Sequence, residues 1–159
     1  METPKVSPQT IQEVVALLAN GQKTGLLLGS HALYGDGLEL AGRITAKTGV
    51  DLLGETTASR FARGEGRVPV QLIPYLPEEA VPFLQSYAQL ILVGALFPVT
   101  TFAYKGKPVI KVPPGCEATT LATATTYWLR SAISPKRSAH LLNRPRAARD
   151  QTALHLQAF

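Results

Sequence analysis

The residues of this sequence that could do chemistry are concentrated in segment 25–37, which reads GLLLGSHALYGDG. An apolar run typical of a buried strand ends at Gly29, and a short loop leads to a helix that opens at residues 35–37. Open α/β sheets build nucleotide-phosphate sites from a strand, a glycine and a helix, because backbone N–H groups at the helix start face the anion. Gly29, Ser30 and His31 are therefore candidate cofactor-binding residues.

The triplet Gly35-Asp36-Gly37 has two interpretations. In thiamine diphosphate enzymes the aspartate of such a triplet is a Mg²⁺ ligand, and an asparagine further along the chain supplies another oxygen. The corresponding window here, residues 62–67, reads ARGEGR and contains no asparagine. We therefore interpret Asp36 as the N-cap of a helix, with Glu39 three residues later as in a capping box.

Other reactive side chains lack the partners that catalysis needs, so we expect no catalytic residue and no metal site on this chain. The nearest acidic neighbour of His31 in the sequence is Asp36, which already has a structural role. Cys116 is the single cysteine, so no internal disulfide forms. Three arginines in the glycine-rich loop at 60–67 fit a bound phosphate, a solvated surface or a contact with another domain.

The elements that must position these residues alternate between helices and short apolar strands. This alternation favours a mainly parallel sheet with right-handed crossovers, in which ligands bind beyond the carboxyl ends of the strands. The predicted helices begin at residues 8, 35 and 77, and the predicted strands span residues 25–28, 50–53, 89–94 and 108–112. The carboxyl ends of those strands lie at residues 29–31, 55–57, 94–97 and 113–116.

Charge divides the chain of 159 residues into two parts. Residues 1–133 carry 11 basic and 10 acidic residues, whereas residues 134–159 carry five basic residues and one acidic residue. We expect an α/β domain over 1–133 and a basic, poorly ordered tail over 134–159. The near-neutral domain excludes a folded nucleic-acid reader. The apolar runs are too short to cross a membrane, and the start lacks a secretory signal, so we expect a cytoplasmic protein.

Two stretches resemble the central domain of thiamine diphosphate enzymes of the acetolactate synthase and benzoylformate decarboxylase type. They read LLLGSHALYGDGLELAGRITAKTGVDLLGETTASRFARGEGRVPV and QLILVGALFPVTTFAYKGKPVIKVP, and the resemblance covers residues 8–122. It implies a Rossmann-like three-layer α/β fold of the DHS-like NAD/FAD-binding type, with about six parallel strands. In that family the first and third domains hold thiamine diphosphate and Mg²⁺, and this chain is too short to contain either.

The resemblance also assigns residues in the central domain, where acetolactate synthases hold FAD. Gly29 matches the glycine at the end of the family's first strand, Thr56 the threonine after the second strand, and Gly94 the glycine before the flavin arginine. Residues 30–31 stand where flavin-binding members carry further glycines. Residues 95–98 lack the charges that follow in those members. These departures speak against FAD.

The resemblance implies a domain that is not active alone, within a parent enzyme that decarboxylates or carboligates 2-oxo acids. We expect no cofactor on this chain alone, and partners that are other domains or subunits of such an enzyme. Two alternatives stay open. One is a free-standing module that binds FAD, NAD or ADP at Gly29 and Gly94. The other is a subunit-interaction protein or homo-oligomer with an apolar patch at Tyr127 and Trp128.

Overall fold

The computed structural model of the protein describes residues 6–103 and 105–123. Within these residues, helices and short strands alternate along the chain, as predicted. The helices are α1 (Pro8–Ala19), α2 (Gly35–Thr48) and α3 (Pro77–Leu84), with a 3-10 turn at Ser30–Leu33. The strands are β1 (Thr24–Leu28), β2 (Asp51–Gly54), β3 (Gln71–Leu72), β4 (Gln89–Val93) and β5 (Glu117–Ala122).

The strands form one parallel sheet in the order β3-β2-β1-β4-β5. β1 lies at the centre, where Leu26 is paired with Leu52 of β2 and with Ile91 of β4. Every residue of β1 and β4 is buried, which explains why both read as continuous apolar runs. The Rossmann-like α/β class is thus confirmed, with five strands in the described residues against the six or so predicted.

Alternate residues of the central strand face two separate cores. Leu26 and Leu28 pack in one core together with Val14 of α1 and Leu38 of α2. Leu27 points to the other side, into a core that includes residues of α3. The sheet is therefore the middle of three layers, with α1 and α2 on one face and α3 on the other.

The helix boundaries follow the predicted signals at α1, but not at α2. Ser7 caps α1, since its side chain accepts a hydrogen bond from the backbone N–H of Thr10. The prediction that Asp36 caps α2 is wrong: the N-cap position is Tyr34, with no side-chain capping bond. The chain extends at Tyr34 and turns into the helix at Gly35, so Asp36 lies inside the first turn. In that position its carboxylate still interacts favourably with the positive end of the helix dipole.

The predicted strand at residues 108–112 is also wrong. Val99 and Ile110 form an isolated antiparallel bridge instead, and the sheet gains its last strand from Glu117–Ala122. Pro108 begins this segment and Pro113 follows it, and neither can donate to a ladder, which disfavours the segment in a sheet. Residues 113–116 consequently precede β5, at the amino ends of the strands, because Glu117 is paired with the first residue of β4.

The expected basic tail at 134–159, the domain boundary at residue 133 and the aromatic pair Tyr127 and Trp128 lie outside the described residues and stay predictions. Within the described part, no helix is both long enough and apolar enough to span a membrane.

A buried glutamine joins α1 to the sheet. Gln89, the first residue of β4, is only 3% exposed. Its Nε2 donates to the carbonyl of Leu17 at 2.8 Å and to Thr24 Oγ1 at 2.6 Å, and its Oε1 accepts from Asn20 Nδ2 at 3.1 Å. These bonds satisfy polar groups at the end of α1 that the core would otherwise leave without partners.

We predict that Gln89→Leu lowers the free energy of unfolding by about 1–3 kcal/mol, because buried polar groups lose their partners. Urea unfolding followed by circular dichroism measures the change. The control is Gln85→Leu at an exposed position, which should change stability by less than about 0.5 kcal/mol. Equal losses in the two variants would contradict the structural role of Gln89.

Candidate functional site

The structure brings the predicted site residues to the carboxyl edge of the sheet, the edge at which all five strands end. Backbone hydrogen bonds hold these ends together. The N–H of Gly29 donates to the carbonyl of Val93, and that of Gly94 donates to the carbonyl of Ala122. The N–H of Glu55, which precedes Thr56, donates to the carbonyl of Leu28. Gly29, Thr56 and Gly94 therefore follow strands that are neighbours in the sheet.

Gly29 and Gly94 pack directly against each other. A Cβ at Gly29 would lie 2.6 Å from the carbonyl oxygen of Gly94 and 2.6 Å from Cα of Ala95. A Cβ at Gly94 would lie 2.8 Å from the carbonyl oxygen of Gly29, and Gly94 also has a φ of +67°, which favours glycine. The two strand-end glycines are thus explained by a close approach of two backbone segments.

An acidic side chain fills the crevice between the ends of β1 and β4. The carboxylate of Glu55 accepts a 2.7 Å hydrogen bond from the backbone N–H of Leu96. Its Cδ lies 2.7 Å from the position of a Cβ at Gly29. A phosphate placed here would face a like charge and would find that amide already bonded. The residues present therefore do not fit the pyrophosphate of FAD at this crevice.

Sequence reasoning missed Glu55. The available signal was an acidic residue directly after a buried strand, in the Glu-Thr-Thr run that precedes the glycine-rich loop. That signal carries little weight without the structure, because exposed loops are generally rich in charged residues.

Ser30 has the one positive φ, +49°, among the non-glycine residues of the described part. It starts the 3-10 turn directly after Gly29. Left-handed backbone at a non-glycine residue is uncommon, and such residues cluster at functional sites. The neighbouring His31 is exposed, and its Nδ1 is hydrogen bonded to the hydroxyl of Tyr34.

The three arginines of the glycine-rich loop do not converge on one point. Arg60 stacks over the ring of Tyr34, with Cζ 4.5 Å from the ring centroid. Arg63 stacks over Phe61 at 4.6 Å. Together with Arg67, Arg63 lines an open cleft of about 520 Å³ whose walls include apolar residues such as Val68, Val70 and Leu72.

A buried lysine holds Thr56 in place. Lys111 is 2% exposed, and its Nζ donates to Thr56 Oγ1 at 3.2 Å and to the carbonyl of Pro74 at 3.1 Å. The hydroxyl of Thr56 donates to the carbonyl of Ile73 at 3.0 Å. The ring centroid of Tyr75 lies 5.7 Å from the amine. Burial lowers the pKa of the Lys111 amine. Within the described part, no carboxylate lies at ion-pair distance from Lys111.

The remaining candidates in the described part of the chain are Cys116 and the acidic side chains. Cys116 is half-buried directly before β5, and burial raises the pKa of its thiol, which favours the protonated form. Within residues 6–103 and 105–123, no three histidine, cysteine or acidic side chains lie close enough together to hold a metal ion.

We predict that Gly29→Ala destabilises the protein by about 3 kcal/mol, the upper end for overpacking, because backbone atoms cannot give way as a side chain can. Thermal and urea unfolding measure the loss. The control is Gly21→Ala, where a Cβ meets nothing within 4 Å and the positive φ alone costs about 1 kcal/mol. A loss at Gly29 no larger than at Gly21 would disprove the close approach.

We predict that the Lys111 amine makes stability rise with pH. Its pKa in the folded state lies below its ordinary value of 10.5, so the unfolded chain binds more protons between those two values. The contribution of Lys111 to the free energy of unfolding should therefore increase with pH through this window. Lys111→Met should flatten the increase, while Lys107→Met, at a largely exposed position, should leave it unchanged.

Urea unfolding from pH 7 to pH 10 measures this effect. Tyr87 acts in the opposite direction as the pH nears 10, because burial and its hydrogen bond to Asp51 raise its pKa to about 12 and the unfolded chain releases that proton first. All three proteins contain Tyr87, so the difference in slope between them reports Lys111 alone. The same slope in the Lys111→Met variant and in the unsubstituted protein would refute the assignment.

Comparison with curated proteins finds a Mycobacterium tuberculosis relative named "Putative acetolactate synthase large subunit IlvX". The two sequences are 38% identical over 116 residues, which make up 73% of this chain and 22% of the relative. The chain thus spans about a fifth of the length of the relative. No family model matches the sequence. The predicted resemblance is confirmed to this extent: most of the chain is similar to part of an acetolactate synthase large-subunit homologue.

Proposed function

We propose that this chain is the central domain of an acetolactate-synthase-like thiamine diphosphate enzyme that acts on 2-oxo acids. In this proposal the domain is a scaffold and contributes no catalytic residue. The observation that carries the proposal is the 38% identity over 116 residues with the M. tuberculosis relative, of which the matched part is only 22%. A match of that extent has the size of one domain within a longer enzyme.

The arrangement of the fold supports this role. Helices cover both faces of a parallel sheet, and the ends of β1 and β4 pack backbone to backbone. Thiamine diphosphate supplies the electron sink for decarboxylation or carboligation of 2-oxo acids. We assign its binding, and that of Mg²⁺, to flanking parts of the parent enzyme. The partners of this domain are then other domains or subunits, and a single cysteine fits a cytoplasmic location.

A second candidate is a nucleotide-binding module at the carboxyl edge of the sheet. The positive φ of Ser30 favours it, since strained backbone follows the strand end at which α/β sheets bind ligands. The carboxylate of Glu55 opposes it, since it occupies the crevice where a phosphate would lie. We therefore rank this candidate second.

A domain exchange tests the proposed function. The matched 116 residues of the M. tuberculosis relative are replaced by the aligned residues of this chain, and the chimera is compared with the unaltered relative by sedimentation velocity and thermal unfolding. We expect a folded chimera of the same oligomeric state. A chimera that aggregates or changes oligomeric state, while the 159-residue chain itself folds, would overturn the proposal.

Ligand-dependent melting of the 159-residue chain separates the two candidates. A ligand that binds the folded state raises Tm by mass action. We expect no rise with thiamine diphosphate and Mg²⁺, and a rise would contradict the scaffold role. A rise with FAD, NAD or ADP would favour the nucleotide-binding module instead.

A further inference from the structure

The exposed large hydrophobic side chains of the described residues all lie at the carboxyl edge of the sheet. They belong to two segments, one after β3 and one after β4. Leu96 is 78% exposed, and Val99 and Ile110 are 50% and 53% exposed. We call this surface the apolar edge. Its members are Tyr75, Leu76, Leu96, Phe97, Val99, Phe102, Val109 and Ile110.

The apolar edge has the composition of an interface core. Residues 95–103 include no charged side chain, and charges begin at the rim with Lys105 and Lys107. Lys107 pairs there with Glu78 at 3.3 Å. A contiguous apolar surface with a polar rim marks a protein interaction site, whereas single exposed hydrophobic residues are normal.

The two segments of the apolar edge are fastened to each other and to the sheet. The backbone N–H of Lys111 donates to the carbonyl of Pro98, and both residues are buried, while Val99 and Ile110 between them face outward. Beneath this ribbon, Nζ of Lys111 donates to the carbonyl of Pro74, next to Tyr75 in the other segment. The surface is therefore held in one shape before a partner arrives, which lowers the entropy cost of binding.

We propose that the apolar edge is the surface on which the flanking polypeptide of the parent enzyme packs, through an uncharged apolar face of its own. This inference rests on the proposed function. About four-fifths of the relative lies outside the matched segment, so a large flanking polypeptide exists in an enzyme of that kind. β5 also ends next to the apolar edge. The carbonyl of Ala122, its last residue, accepts a hydrogen bond from the backbone N–H of Gly94, which lies two residues before Leu96.

Substitutions in the domain-exchange chimera test the inference. The edge variant carries Leu96→Ser, Val99→Ser and Ile110→Ser. The control variant carries Gln12→Ser, Ala16→Ser and Ala46→Ser, at exposed positions of α1 and α2. We expect the edge variant to lose the assembled species in sedimentation velocity and to melt at a lower temperature than the control. In the isolated 159-residue chain, both variants should fold, the control with the small loss of Tm that serine brings within a helix.

The outcomes separate the two proposals. An edge variant that assembles and melts like the control overturns the apolar edge as the interface and leaves the proposed function standing. An unsubstituted chimera that fails to assemble overturns the proposed function. It also overturns the inference that the flanking polypeptide packs on the apolar edge. A dimer of the isolated chain that the edge variant abolishes identifies a second copy as the occupant, which also overturns the inference.

Discussion

The ends of β1 and β4 meet backbone to backbone, and the rest of the carboxyl edge depends on that contact. Gly29 and Gly94 have no side chain between them, so the two strands can remain paired until both chains turn away. Ser30 then enters the 3-10 turn that leads to α2, and Leu96 begins the segment that carries the apolar edge. A Cβ at either glycine would push the two backbone segments apart, and one at Gly29 would also displace the Glu55 side chain.

The central part of the fold could be predicted from the sequence because both faces of the sheet are covered. Full burial requires an unbroken apolar run, and β1 and β4 have such runs. β5 was missed for the opposite reason. Its sequence, EATTLA, belongs to an edge strand with one buried residue in six. The more apolar segment 108–112 exposes Val109 and Ile110 instead. Hydrophobicity alone does not distinguish a strand from an exposed apolar segment.

The candidate site was predictable in its position but not in its contacts. The glycines and Thr56 follow strands whose order the alternating pattern implies, so their common edge could be inferred. The partners of Thr56 could not, because Lys111 reaches it across 55 residues and lies in a segment that reads as an ordinary amphipathic strand. Burial of a lysine against neutral oxygens depends on tertiary packing, and local sequence patterns do not report tertiary packing.

Glu55 has a consequence for how this domain relates to ligands. Its carboxylate takes the amide of Leu96, so the protein's own side chain acts as an internal anion at a position where many α/β proteins recruit an external one. The strand ends are thus joined by the chain's own atoms. For the scaffold that we propose, this implies a stability that does not depend on the cofactor state of the parent enzyme.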